Sequence, residues 1–278
     1  MATVYISPTG GASTQDGLTA DTAYAIASLS TAQTQAQVGG TIYFLDGDYY
    51  TSGNFSFTST GINYQSLNKH GARLGPVASG TTTPATFSIG SSSTTNISVK
   101  DFKIRNCKMY QQASNDSSSP LVIQGNLIYT DEAKDFATNG AIWIGGSDDE
   151  VRIYDNVYKL IQGGRSADSI SRNVNINVKV ERNSVYFESD ENTINTTDLL
   201  NAGSLKNNIF VGTGSATFTN TFSANATNCC IHNFGSGNDG SSNVGTNNLF
   251  EDPLFVDVAN LDLRLRPTSP CINAGTAS

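Results

Sequence analysis

Val151-Arg152-Ile153-Tyr154-Asp155-Asn156-Val157-Tyr158 sets the frame for the whole chain. Apolar Val151 and Ile153 alternate with polar Arg152 and Tyr154, the period of a strand buried on one face only. A polar pair ending in Asn interrupts it, and a second run follows. The frame recurs upstream in Leu121-Val122-Ile123-Gln124-Gly125-Asn126-Leu127-Ile128-Tyr129. It returns downstream in Val178-Lys179-Val180-Glu181-Arg182-Asn183-Ser184-Val185-Tyr186 and in Leu205-Lys206-Asn207-Asn208-Ile209-Phe210. Asn247-Asn248-Leu249-Phe250 is a last echo. The frame asparagines stand 30, 27, 25 and 40 residues apart, the last step reading as two units. Phe102-Lys103-Ile104-Arg105-Asn106-Cys107 reads as the unit before, with Cys107 in the Asn position.

A unit of this length holds short strands joined by turns and cannot bury its own inner face. Stacking units about 4.8 Å apart pairs each strand with those above and below. A buried turn Asn then bonds the Asn of the next unit through its amide, and Asn tolerates the left-handed backbone of a sharp turn. The pattern therefore predicts an all-β fold, a right-handed parallel β-helix. Ile123, Ile153, Val180 and Leu205 are expected to stack inward, as are Ile128, Tyr158, Val185 and Phe210.

Outside the repeat, residues 1–40 read as a strand (Val4-Tyr5-Ile6), a turn and a short capping helix. Ser28 is its expected N-cap, Leu29, Ala32 and Ala36 its apolar face, and Gly39-Gly40 its stop. Such a cap shields strand edges that would otherwise pair with other molecules. Residues 41–250 form the helix proper and 251–278 an exit segment, all one structural domain. Only 14% of residues are charged and 26 are Gly, as many tight turns require. The net charge of −8 argues against nucleic acid as a partner. No apolar stretch approaches the roughly 20 residues of a membrane span, and no signal peptide is expected in this chain. The four cysteines, Cys107, Cys229, Cys230 and Cys271, match no zinc spacing and are expected to be reduced.

Tyr5-Ile6-Ser7-Pro8-Thr9-Gly10, Asp16-Gly17, the short helix, Gly40-Thr41-Ile42-Tyr43-Phe44 and Gly47-Asp48-Tyr49 resemble the opening segment of the pectate-lyase-like β-helix superfamily. Phe250-Glu251-Asp252-Pro253-Leu254-Phe255-Val256-Asp257 and Leu263 to Gly275 resemble its exit segment. The resemblance implies a carbohydrate-active enzyme or a phage tailspike-type protein, acting outside the cell or on a virion surface as monomer or homotrimer. It does not choose among these activities.

Aligned on the ladder, outward residues form columns. Val122, Arg152, Lys179 and Ser204 make one; Gln124, Tyr154, Glu181 and Lys206 the next. With Cys107 as the earlier unit, Lys103 and Arg105 join the same face. Five of 16 basic residues then gather on one side of an acidic protein. Such a face suits an acidic, uronate-containing polysaccharide. A lyase needs a base for the proton next to the carboxylate and a cation for the charge that develops. Lys179, Arg152 and Glu181 are the candidate catalytic residues; Tyr154, Lys103, Arg105 and Lys206 the candidate substrate contacts. The plain alternative is a solvated face with Arg152 and Glu181 paired across units.

Asp148-Asp149 resembles a fragment of the paired-Asp motif of β-helix hydrolases, but the His-Gly and Arg-x-Lys elements that should follow are absent. These acids with Glu150 and Asp155 leave calcium open as a cofactor, and an exposed acidic turn is the simpler reading. Glu188-Ser189-Asp190-Glu191 and the segment 131–135 read as solvated loops. Trp143 is a sugar platform if it points outward and core if inward. A polysaccharide lyase is thus the first expectation and a glycoside hydrolase the second. The alternative is a non-catalytic glycan-binding adhesin or tail-fibre component, with a structural spacer behind it.

Overall fold

The structure, a computed structural model, describes residues 2–11, 15–51, 55–76, 85–90, 96–111, 120–131, 142–144, 150–162, 167–168, 170–172, 177–189, 194–195, 204–213, 226–233 and 245–276. It is an all-β parallel β-helix with one short helix. A first sheet of ten strands runs from Tyr24–Ala25 and Thr3–Ser7 through Leu121–Gln124, Glu150–Tyr154 and Asn177–Glu181 to Ala226–Thr227. A second, of eight, runs from Gly47–Thr51 through Lys103–Arg105, Leu127–Tyr129, Val157–Gln162 and Ser184–Ser189 to Cys230–His232. A third, of five, runs from Phe55–Phe57 to Ile170–Arg172.

The inward stacks fall where alternation puts them. Ile123, Ile153, Val180 and Leu205 are in register on the first sheet, and Ile128, Tyr158, Val185 and Phe210 on the second. All eight are buried.

The ladder occupies the corner between these two sheets. Asn126, Asn156, Asn183 and Asn208 are fully buried. Asn126 Nδ2 donates to Asn156 Oδ1 at 3.0 Å, Asn156 to Asn183 at 3.1 Å, and Asn183 to Asn208 at 3.0 Å. Each of these acceptor oxygens also takes the backbone N–H of the previous ladder residue, at 2.9 or 3.0 Å. The second amide hydrogen goes to a strand carbonyl, of Val99, Ile123 and Ile153 in turn. The amides thus satisfy themselves and the corner backbone in a place water does not reach.

Two details of the expected ladder change. The left-handed residue is the one before each ladder position: Asp101, Gly125, Asp155, Arg182, Asn207, Asn228 and Asn247 all have positive φ, and the ladder asparagines do not. The ladder position before Asn126 is held by Phe102, whose backbone N–H donates to Asn126 Oδ1, and not by Cys107, which begins a third-sheet strand paired with Ala85. Toward the N-terminus, aromatic packing replaces amides, with Phe102 and Phe44 rings 5.1 Å apart. The 40-residue gap is two units as read, with Cys229 in the intervening ladder position: its N–H donates to Asn248 Oδ1 at 2.8 Å.

The cap is a helix over Leu29–Ala36 with Ala32 and Ala36 buried and Leu29 half-buried against the core. Ser28 precedes it without a side-chain capping bond. At the other end, Phe255–Asp257 and Asp262–Leu265 pair antiparallel. Phe255 and Leu263 pack on Val211, with Val157 and Ile209 beside them, so the hairpin lies on the outer face of the second sheet. No helix among the described residues is long and apolar enough to cross a membrane.

Candidate functional site

The first-sheet columns form as read. Arg152 lies beside Lys179, and Tyr154 beside Glu181, which lies beside Lys206. The charges, however, are tied to one another. Glu150, at the start of the same strand, has a nearly buried carboxylate that Arg152 Nε and Lys179 Nζ share, the latter at 2.8 Å. Burial alone would raise the Glu150 pKa. Hydrogen bonds from Lys179 and Arg152 outweigh it and hold the group below its ordinary value. Glu181 is largely covered, accepts a bond from Ser204 Oγ at 2.8 Å, and has Arg182 at 3.8 Å. Arg182 also pairs with Asp155 at 2.7 Å, and its guanidinium lies 5.2 Å from the Tyr154 ring centre. That pairing and a bond from Gln124 overcome desolvation and lower the Asp155 pKa. Lys206 is exposed, with no carboxylate partner among the described residues.

Lys103 and Arg105 are not on this face. With Phe102 at the ladder corner they fall after it, on the second sheet, where Lys103 pairs with Leu127 and Arg105 with Tyr129. The basic residue that does stand in the first-sheet column is Lys100, beside Gln65 and Gln124. The five-cation cluster therefore divides between two faces.

On the second sheet, Arg105, Tyr129, Lys159 and Tyr186 follow one another in register on successive units, and Val211 and His232 continue the line. Tyr50 begins it, across Gly75, where a Cβ would come within 3.4 Å of the Tyr50 ring and 3.1 Å of the Arg105 carbonyl. Glycine lets the aromatic ring lie close to the sheet there. Arg105 pairs with Asp131 at 2.6 Å, and Asn106 Nδ2 donates to the same carboxylate at 2.7 Å. Burial would raise the Asp131 pKa; these two bonds lower it on balance. Lys103 Nζ sits 5.1 Å from the Tyr129 ring centre. Neither Lys103 nor Lys159 has a carboxylate partner among the described residues. The line runs into a cleft of about 280 Å³ between the sheet and the C-terminal hairpin, lined by Tyr186, His232, Asn233, Asp252 and Arg266.

Asp148, Asp149, Asp190, Glu191 and positions 132–135 lie outside the described residues. Glu188 is exposed, but instead of lying in the expected loop it belongs to the second-sheet strand Ser184–Ser189, in register with Ile161. Trp143 belongs to a third-sheet strand in register with Tyr110 and Ser171, and its side chain is outside the description. No cluster of three or more metal-ligating side chains occurs among the described residues.

Comparison with protein-family models, with curated proteins and with solved structures matches none of them.

The second-sheet line had a signal in the sequence. Counting three residues past each ladder Asn gives Tyr129, Lys159, Tyr186 and Val211. The strand after the Asn shows its inward stack at Ile128, Tyr158, Val185 and Phe210, and the outward column is the residue that follows each of them.

Proposed function

We propose that this protein is a glycan-binding β-helix that holds an acidic, uronate-containing chain along the outer face of its second sheet. The observation that carries this is the in-register line Arg105, Tyr129, Lys159, Tyr186. Cations and aromatic rings alternate at steps of about 4.8 Å; Arg105 is held by Asp131, and Lys159, between Tyr129 and Tyr186, is the cation left for a ligand. A tyrosine offers an apolar face to the C–H surface of a sugar and a hydroxyl to its rim. A cation between two rings meets a carboxylate. The stripe is locally basic on a chain of net charge −8, which favours selective rather than general attraction of anions. The likeness of both ends of the chain to the pectate-lyase-like superfamily supports the same class of ligand and a place outside the cell or on a virion.

The reading is non-catalytic. A lyase built on Lys179 needs a free amine lone pair at the substrate, and here that nitrogen donates to Glu150 at 2.8 Å. Arg152 and Tyr154 are likewise occupied by Glu150 and Arg182.

The test is calorimetric titration with an oligouronate, using a neutral oligosaccharide as control. Saturable binding of the acidic chain, weakened by salt and by Lys159→Ala, is expected. Equal binding by the neutral sugar, or none by either, overturns the reading. New absorbance from unsaturated uronates would replace it with a lyase.

A further inference from the structure

The adjacent cysteines of the last complete unit point to opposite sides. Cys229 faces the core: its Sγ lies 3.6 Å from the Leu205 carbonyl, in the ladder position. Cys230 follows on the second-sheet strand and faces out, its Sγ 3.2 Å from the Glu251 carbonyl. The C-terminal tail returns across this point. Asn207 Nδ2 donates to the Thr276 carbonyl at 2.9 Å, and the Thr276 N–H donates to Asn207 Oδ1 at 3.0 Å. Together the tail and the turn column enclose a cavity of about 200 Å³ whose wall includes Cys229, Cys230 and Cys271.

We propose that Cys230 and Cys271 form a disulfide that fastens the C-terminal tail to the solenoid, closed by exchange with a small-molecule disulfide such as oxidised glutathione. Cys271 is the half-exposed member and Cys230 the buried one. Cys271 is the thiol a small disulfide can reach, so its deprotonated form makes the first attack. It displaces one glutathione thiol and leaves a mixed disulfide. Cys230 attacks the Cys271 sulfur as its proton passes to the departing glutathione thiolate, which leaves as the second thiol. Two protein thiols are oxidised and one glutathione disulfide is reduced to two thiols. Cys107 and Cys229 take no part: Cys107 begins a third-sheet strand, and Cys229 is buried with its Sγ turned to the Leu205 carbonyl.

The full chain is incubated with oxidised glutathione, quenched with acid, and digested without reduction. A loss of two hydrogens from the intact mass and a peptide linking Cys230 to Cys271 are expected, with a melting temperature several degrees higher that dithiothreitol reverses. Cys271→Ser should carry neither the link nor the thermal shift. A stable glutathione adduct on Cys271, a link through Cys229, or four thiols that all remain free would each overturn the proposal. The mapping on the parental chain decides even if a variant folds poorly.

Discussion

On the first sheet, Arg152 and Lys179 share one nearly buried carboxylate, and Arg182 is held by Asp155 while covering Tyr154. On the second, Lys103 and Lys159 stand among tyrosines with no carboxylate partner among the described residues. The two faces meet at the same asparagine corner and carry similar residue types. They differ in how far their charges are occupied: the first keeps Lys206 uncommitted at its edge, and the second ties Arg105 to Asp131 at 2.6 Å but leaves Lys103 and Lys159 beside the rings. A cation neutralised within the fold contributes order to the solenoid, whereas one without a partner keeps its full attraction for an anion in solution. Counting basic residues on a face therefore says less about binding than asking which of them are committed.

The largest effect should come from the corner both faces depend on. Asn183→Ala removes the acceptor for the Asn156 backbone and amide and orphans groups inside the core. A loss of about 1–3 kcal/mol is expected by chemical denaturation, and both faces should suffer, since both sheets take their register from this turn. Unchanged stability would mean that the ladder is not a structural element.

Much of this corner was legible in the sequence because alternation and a buried amide both have few solutions. The strand before each Asn had to face inward at Ile123, Ile153, Val180 and Leu205, and it does. The error at the first unit has a physical cause. Asn106-Cys107 looks like the polar pair that closes a frame, and Asn106 has the left-handed φ of 52° that precedes a ladder position, but its amide reaches out to Asp131 at 2.7 Å and Cys107 begins a third-sheet strand. The true ladder position is Phe102, where an aromatic ends the amide stack, and a search for asparagine passes over it. That shift of one corner placed Lys103 and Arg105 on the wrong face. Pairing was illegible for another reason: Glu150 sits before the repeating frame, so nothing in the columns announced that it neutralises both cations.

Glu150→Gln separates the faces next. It leaves Arg152 and Lys179 facing a neutral amide and should cost about 1–2 kcal/mol, since the carboxylate is mostly covered but both cations are about a third exposed. The pH dependence has a definite sign. Folded Glu150 and Asp155 titrate below their ordinary values, so their contribution is full above the unfolded pKa of about 4 and fades as pH falls through the folded one. Melting curves of the parental protein should drop over that acidic window, and those of Glu150→Gln should drop less. Oligouronate affinity should stay within about twofold, or about 0.4 kcal/mol. A parallel collapse of binding would show that the ligand sits on the first sheet.

Lys159→Ala and Tyr129→Ala examine the opposite face. Each should weaken oligouronate binding by about tenfold, or about 1.4 kcal/mol, and Lys159→Ala should change the melting temperature little, because Lys159 forms no ion pair among the described residues. The lysine variant should also show a shallower salt dependence, because one screened contact is gone. The tyrosine variant should keep the parental slope. If both lose the same slope, the rings act only by positioning Lys103 and Lys159, and the stacking part of the argument fails.

The smallest effect expected is that of Arg152→Ala on binding, and it tests the comparison most closely. Arg152 stands in the densest cluster of charge on the first sheet and is the residue a sequence reading selects first for gripping a carboxylate. Its guanidinium already has a carboxylate, Glu150, and a ligand would have to displace it. Removing Arg152 leaves Glu150 still paired with Lys179 at 2.8 Å, so neither a new free cation nor an orphaned anion results. Binding should change by less than about twofold and stability by less than about 1 kcal/mol. Lys179→Ala, by the same argument, leaves Glu150 on Arg152 and should behave alike. A tenfold loss of affinity in either variant would show that the ion pair opens to admit the ligand. The first sheet would then be the binding face and the uncommitted lysines of the second a solvated surface.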